Sequence, residues 1–278
     1  MHRLTFILFV LFLSCSAVAA QAQESLPRLG DSVPAAGRSQ SDCTGFITKS
    51  SVPRDLVVLG GADDDFHSAV RQFVQGDSLF ISNHKGGNIA VGAEYSVVRP
   101  ATELFMTRRY AHQDWEIGKV GKPYEDVGQL RVTHVSPAGT VASVTFSCGP
   151  ILPGDLVVPF QPRAVPGYTL SPLLDHFAPL DTNKQHGRIA ASRNNFGFLG
   201  AGTTVYLNLG QKEGTAPGER FRIYKVLPQH GTGSLTSEPT PPEIIGEVVV
   251  LTVQSHSCVA MVISSYREIS AGDYVEAE

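Results

Sequence analysis

The sequence predicts an all-β protein in which one small closed barrel of five short strands occurs twice in tandem, the copies joined by a proline-rich connector. Three observations carry this. Residues 128–155 and 246–273 are both 28 long and align without a gap. Each reads as two β-rich runs around a polar turn and ends on Gly-Asp, which is a hairpin. Neither copy holds a helical period over a useful length.

The copies extend toward the N-terminus. Residues 76–100 pair with 202–226 at a constant offset of 126, so that Leu79, Phe80 and Ile81 face Val205, Tyr206 and Leu207, and Gly92 faces Gly218. Between these strands and the hairpin the offset falls to 118, which places eight extra residues in the first copy's connecting loop. A length change confined to a loop, between gapless strands, is what duplication of one small fold leaves behind. Each copy then reads strand, Gly turn, strand, long loop, strand, tight turn, strand, Gly-Asp and a last short strand (156–158 and 274–276). Closing such a sheet on itself removes its exposed edges.

Side chains alternate along a strand, so the hairpin has two faces. On one, Leu130, Val132, Ala142 and Val144 match Val248, Val250, Ala260 and Val262, and this apolar face is the expected core. On the other, the first copy has Arg131, Thr133, Ser143 and Thr145, where the second has Val249, Leu251, Met261 and Ile263. An apolar second face marks an interface. Its occupant is either the N-terminal half of the same chain, or a partner protein or second copy in a homodimer.

In chain order, residues 1–22 read as an export leader: a cationic start at His2 and Arg3, an apolar run over 4–13, and small-residue cleavage sites around Ala19 to Ala22. The run is too short to span a bilayer, and no later run is long enough. The expected location is the periplasm; a lipid anchor through Cys15 is the alternative. Residues 23–42 read as a flexible arm, 43–160 as the first barrel with an N-terminal extension in which 45–47 and 55–59 are β-like, 161–186 as the connector, and 187–278 as the second barrel, opened by an extra strand at 187–192. Hydrophobic residues make up 42% and charged residues 17%, and the formal charge is −4. That balance lacks the basic stripe nucleic acid requires. Without the leader three cysteines are left, Cys43, Cys148 and Cys258. Either Cys43 and Cys148 tether the N-terminal segment to the first barrel, or all three stay free.

The search for chemistry yields no catalytic residue, no cofactor and no metal. Nucleophile-elbow, metalloprotease, phosphate-loop and dinucleotide motifs are missing. His67, His84, His134 and His256 are isolated. The acidic triplet Asp63, Asp64 and Asp65 reads as a helix cap, since it lacks the alternate oxygen ligands and Gly turn of a calcium loop. Asp155 and Asp273 recur, but each follows Gly in a tight turn, where the carboxylate bonds its own backbone. The first copy's long loop (101–126) carries Arg108, Arg109, Tyr110, Trp115, the single tryptophan, and Tyr124. Aromatics beside Arg stack on sugar rings or anchor proteins. The bland reading has Trp115 folding back to cap its own barrel.

The run V-Y-L-N-L-G-Q-K-E-G-T-A-P-G-E-R-F-R-I-Y-K (205–225), followed by I-G-E-V-V-V-L and A-G-D-Y-V, resembles the small SH3-like barrel at the C-terminus of the flagellar assembly protein T family. The first copy, with F-V-Q-G-D-S-L-F-I and P-G-D-L-V-V-P-F, is similar to the β modules that accompany LysM domains in exported bacterial proteins. The resemblance covers residues 76–160 and 187–278. It implies SH3-like barrels in a periplasmic or cell-envelope protein with a binding or scaffold role, and it brings no catalytic residues. The expected function is therefore a non-enzymatic envelope binding or scaffold protein. The alternatives are peptidoglycan or other glycan binding through the Trp115 loop, and a hydrolase with dispersed residues.

Overall fold

The structure, a computed structural model, describes residues 27–62, 72–82, 88–137, 139–170, 175–226 and 241–278. The leader, the acidic triplet, His67, His84 and residues 227–240 of the second copy's long loop lie outside the described residues. The chain runs through β1 (Ser32–Pro34), the short helix α1 (Arg38–Asp42), β2 (Phe46–Thr48), β3 (Val58–Gly61), β4 (Ser78–Ile81), β5 (Glu94–Pro100) and the helix α2 (Gln113–Val120). It continues with β6 (Lys122–Ser136), β7 (Gly139–Ser147), β8 (Leu156–Pro159) and β9 (Gly167–Thr169). The second copy supplies β10 (His186–Ser192), β11 (Thr204–Leu207), β12 (Arg220–Lys225), β13 (Glu243–Val253), β14 (Cys258–Ser265) and β15 (Tyr274–Ala277).

The second copy closes into a six-stranded barrel in the order β10-β11-β14-β13-β12-β15. The first has its corresponding strands in the corresponding order, β3-β4-β7-β6-β5-β8, with β2 added on β6. A sixth strand joins the five of each copy: β10, the extra strand expected at 187–192, and β3, from the β-like run at 55–59. Closure also differs. In the barrel, β10 pairs with β15 over three residues, and Ala277 N donates to Gln185 O at 2.9 Å. In the first copy the two end strands meet at a single bridge, Val57 to Leu156. The residue in Ala277's place is Pro159, which has no N–H to extend that ladder.

The copies share their packing details as well. A Cβ on Gly128 would lie 2.7 Å from Phe146 O and 2.9 Å from Ile151 Cδ1; on Gly246, 2.5 Å from Ser264 O and 2.8 Å from Ile269 Cδ1. The same strand crossing therefore excludes a side chain in both copies. Asp155 Oδ2 accepts from Leu152 N at 2.7 Å and Asp273 Oδ2 from Ser270 N at 2.8 Å, the expected turn bonds. Each is also met by a cation from the matching strand, Arg99 at 2.7 Å and Lys225 at 3.6 Å.

Both core faces lie where the alternation places them: Leu130, Val132, Ala142 and Val144, and Val248, Val250, Ala260 and Val262, are buried. The second face of the barrel is covered from within the chain. Val249, Leu251 and Met261 are buried against Ala35 and Ala36, with Val165, Tyr168 and Ile263 half-buried beside them. The cover is held by β1 pairing antiparallel with β9. This face is thus not presented to a partner protein or a second copy. The flexible-arm reading is corrected too: from residue 27 on, the arm forms β1 and α1, and its Ala35 and Ala36 are buried against Val249, Leu251 and Met261. Cys43 and Cys148 form a disulfide with Cα atoms 5.5 Å apart, and Cys258 is a buried free thiol.

At the end of β15, Arg220 lies between Glu247 and Glu278. Burial first, and a hydrogen bond with Glu247 second, push the Glu278 carboxyl from 4.5 up to about 7. A carboxyl that holds its proton more tightly folded than unfolded adds stability that is complete below about 4.5 and lost as pH rises through about 7. Partial solvation of the side chain trims the effect below the full equivalent of that shift. Urea midpoints measured from pH 5 to 8 should fall with pH, and Glu278→Gln should flatten that segment; an unchanged slope in the variant would assign it elsewhere.

Candidate functional site

The extra length in the first copy's loop builds the joint between the two units. Its helix α2 turns Ile117 and Val120 into a cluster with Ile47 of β2 and with Ala190, Ala191, Tyr206 and Val259 of the barrel. Gln113, fully buried, donates from Nε2 to Ala190 O at 3.0 Å. With that face committed, the helical repeat sends Trp115 and Lys119 the other way and leaves Glu116 at the edge between. They form one wall of a cleft of about 400 Å³. Lys49, just past β2, Asn208 and Glu213, after β11, and His256, in the β13–β14 turn, complete it.

Trp115 is 61% exposed, and Lys119 Nζ lies 3.3 Å from its ring centroid. These residues are four apart, one above the other on the helix surface. Glu116 is tied down: Arg188 Nη1 reaches its Oε1 at 2.8 Å and the Tyr110 hydroxyl donates to its Oε2 at 3.0 Å. Burial, then the Glu116 carboxylate, raise the Tyr110 hydroxyl above its ordinary range, so it remains a donor. Glu213 Oε2 accepts from Gly210 N at 2.8 Å, and its Oε1 lies 3.5 Å from His256 Nδ1. Asn208 Oδ1 accepts from Arg188 N at 2.7 Å.

The five residues singled out in the loop do not converge. Trp115 alone lines the cleft. Arg108 pairs with Asp114 at 2.5 Å on the surface. Arg109 reaches across to the barrel unit and bonds the side chain and carbonyl of Asn195. Tyr110 packs against the barrel, where a Cβ on Gly272 would meet its ring at 2.9 Å. Tyr124 is buried and stacked on Phe46, ring centroids 5.4 Å apart. Nor does Trp115 cap its own barrel: the helix carries it outward at the junction. Sequence reasoning missed Lys49, Lys119, Asn208, Glu213 and His256, which come from both copies and share no motif. The one available signal was the eight-residue excess in the loop.

A second cavity, of about 460 Å³, lies between the connector and the barrel, with Asp126 and Arg163 among its lining residues. Where the loop at 102–107 meets the turn at 193–198, Phe105, Met106, Phe196 and Phe198 are exposed. Among the described residues no group of three or more His, Cys, Asp or Glu is placed to hold a metal, and no helix is long and apolar enough to cross a membrane. Compared with known proteins, the sequence matches no protein-family model and shows no significant similarity to a curated protein.

Proposed function

We propose that the chain is a non-enzymatic binding protein of the bacterial cell envelope, exported to the periplasm and built from two SH3-like units, and that it holds a glycan, peptidoglycan first among them, in the Trp115 cleft. One observation carries this: the only tryptophan stands 61% exposed on the wall of a cleft at the junction. Leaving so large an apolar ring in water forgoes roughly 2–3 kcal/mol of burial. Ile117 and Val120 of the same helix pack the joint without it. An indole face with polar side chains around it suits a sugar ring. The Cys43–Cys148 disulfide accords with export to an oxidising compartment. The SH3-like resemblance supports the envelope setting.

A hydrolase has less support. Glycoside hydrolysis needs one carboxyl free to protonate the leaving oxygen. Glu116 is bound by Arg188 and Tyr110, and Glu213 by Gly210 N. The lining also lacks a Ser, Thr or Cys nucleophile.

The test is a pull-down with peptidoglycan glycan strands freed of their stem peptides. Trp115→Ala should leave the melting temperature within about 2 °C, because little is buried there, and should weaken binding at least tenfold. Binding unchanged in the variant would remove the cleft from the account.

A further inference from the structure

We infer that the cleft selects an acidic sugar: a pyranose takes the place of the Lys119 ammonium on the Trp115 ring, and a carboxylate on the sugar or its substituent is held by Lys49 and the displaced Lys119. This rests on the glycan reading above and adds the chemical class of the ligand. The cleft contains two carboxylates, and both are engaged from within the protein, Glu116 by Arg188 at 2.8 Å and Tyr110 at 3.0 Å, Glu213 by Gly210 N at 2.8 Å. The two lysines are not balanced in this way. Lys119 rests on the Trp115 ring, 3.3 Å from its centroid, and no carboxylate among the described residues forms an ion pair with it or with Lys49. Two ammonium groups therefore line the cleft with no carboxylate in ion-pair contact among the described residues, in a protein whose overall charge is −4. A ligand that stacks on Trp115 displaces the Lys119 ammonium from the ring and leaves it at the ring's edge, beside the bound sugar.

The size agrees. A volume of about 400 Å³ is at the small end of ligand sites, roughly 300–1,000 Å³, so it admits one or two sugar rings and not a folded partner. The lysines come from different segments, Lys49 after β2 and Lys119 on α2, so the anion sits between two elements that the Ile47 and Ile117 cluster already fixes. Both lysines are exposed and neither is needed for packing.

The experiment uses the full chain and soluble glycan strands of alternating N-acetylglucosamine and N-acetylmuramic acid, free of peptide. A matched sample has the lactyl carboxylates converted to neutral amides. The unmodified strands should bind at least tenfold more tightly than the amidated ones, and raising salt should erase the difference. In Lys49→Met/Lys119→Met the two samples should bind alike, at the amidated level, with the melting temperature kept. Equal binding of both samples to the wild-type protein would overturn the acidic class and leave glycan binding standing. Failure of both samples to bind the wild-type protein would overturn the glycan reading and this inference with it. A double variant that still discriminates would assign the anion to other residues.

Discussion

Arg163→Met should lower the stability of the folded protein by about 3–5 kcal/mol, the usual result of removing one partner of a buried ion pair. Arg163 lies in the connector and meets Asp126 of β6 at 2.5 Å and 2.9 Å. The Asp126 side chain is 5% exposed and that of Arg163 23%. The carboxylate also accepts from Gly45 N at 2.7 Å, and the guanidinium donates to Thr44 Oγ1 at 3.1 Å. Thr44 O in turn accepts from the buried Tyr206 hydroxyl at 2.8 Å. One pair thus links the N-terminal segment, the first unit, the connector and the barrel. Without the guanidinium, a carboxylate stays buried with one backbone donor. For a chain of this size the loss corresponds to roughly 10 °C in melting temperature. Asp126→Leu/Arg163→Met should recover much of it, because no charge is then left uncompensated. A single variant that loses less than about 1 kcal/mol would show that water reaches Asp126 and that the pair is a surface contact.

The repeat made most of the fold legible. Side-chain alternation fixed the inward rows, Leu130 and Val132 with their counterparts Val248 and Val250, because a one-residue slip would expose them all. Matching glycines marked shared close approaches, as at Gly128 and Gly246. The strand that opens the second unit, β10, was legible as the run 187–192 and β3 as a β-like run at 55–59, but that both join the sheets depends on long-range ladders no local pattern encodes. The difference in closure was written in a single residue, Pro159 opposite Ala277, yet a missing N–H matters only once its would-be partner is known. The apolar face of Val249, Leu251 and Met261 showed that something covers it. The identity of the cover, Ala35, Ala36, Val165 and Tyr168, depends on β1 finding β9 across more than a hundred residues, which no local pattern encodes.

The candidate site was legible only at Trp115. The loop's aromatics and arginines were read as one surface, but tertiary packing divides them: Tyr110 and Arg109 serve the barrel, Tyr124 the core beside Phe46. Helix α2 escaped notice because its apolar face is two residues wide, Ile117 and Val120, and gains its stability from the joint instead of from a long amphipathic stripe. Lys49, Glu213 and His256 are neighbours of Trp115 only because the two units dock, so linear spacing could not have gathered them.

Cys43→Ser/Cys148→Ser should cost about 4–5 kcal/mol, the largest loss expected from any change outside the cores. The disulfide spans 105 residues, and for a closed loop near that length the chain-entropy account gives about 4.7 kcal/mol. It also fixes Cys43 next to Thr44 and Gly45, whose bonds to Arg163 and Asp126 then form at little further entropic cost. The two losses should accordingly be coupled: Arg163→Met in the disulfide-free protein should be more harmful to folding at 37 °C than either change alone suggests. Urea unfolding of the oxidised and reduced wild-type protein should reproduce the difference seen with the serine variant. Thiol labelling supplies an independent check. In the native protein without reductant no thiol beyond residue 26 should react: Cys43 and Cys148 are bonded, and burial both shields the Cys258 thiol and raises its pKa. Rapid labelling of Cys43 or Cys148 under those conditions would mean that the bond is absent, and the N-terminal segment would then be held to the first unit by the pairing of β2 on β6 and by Asp126 and its neighbours.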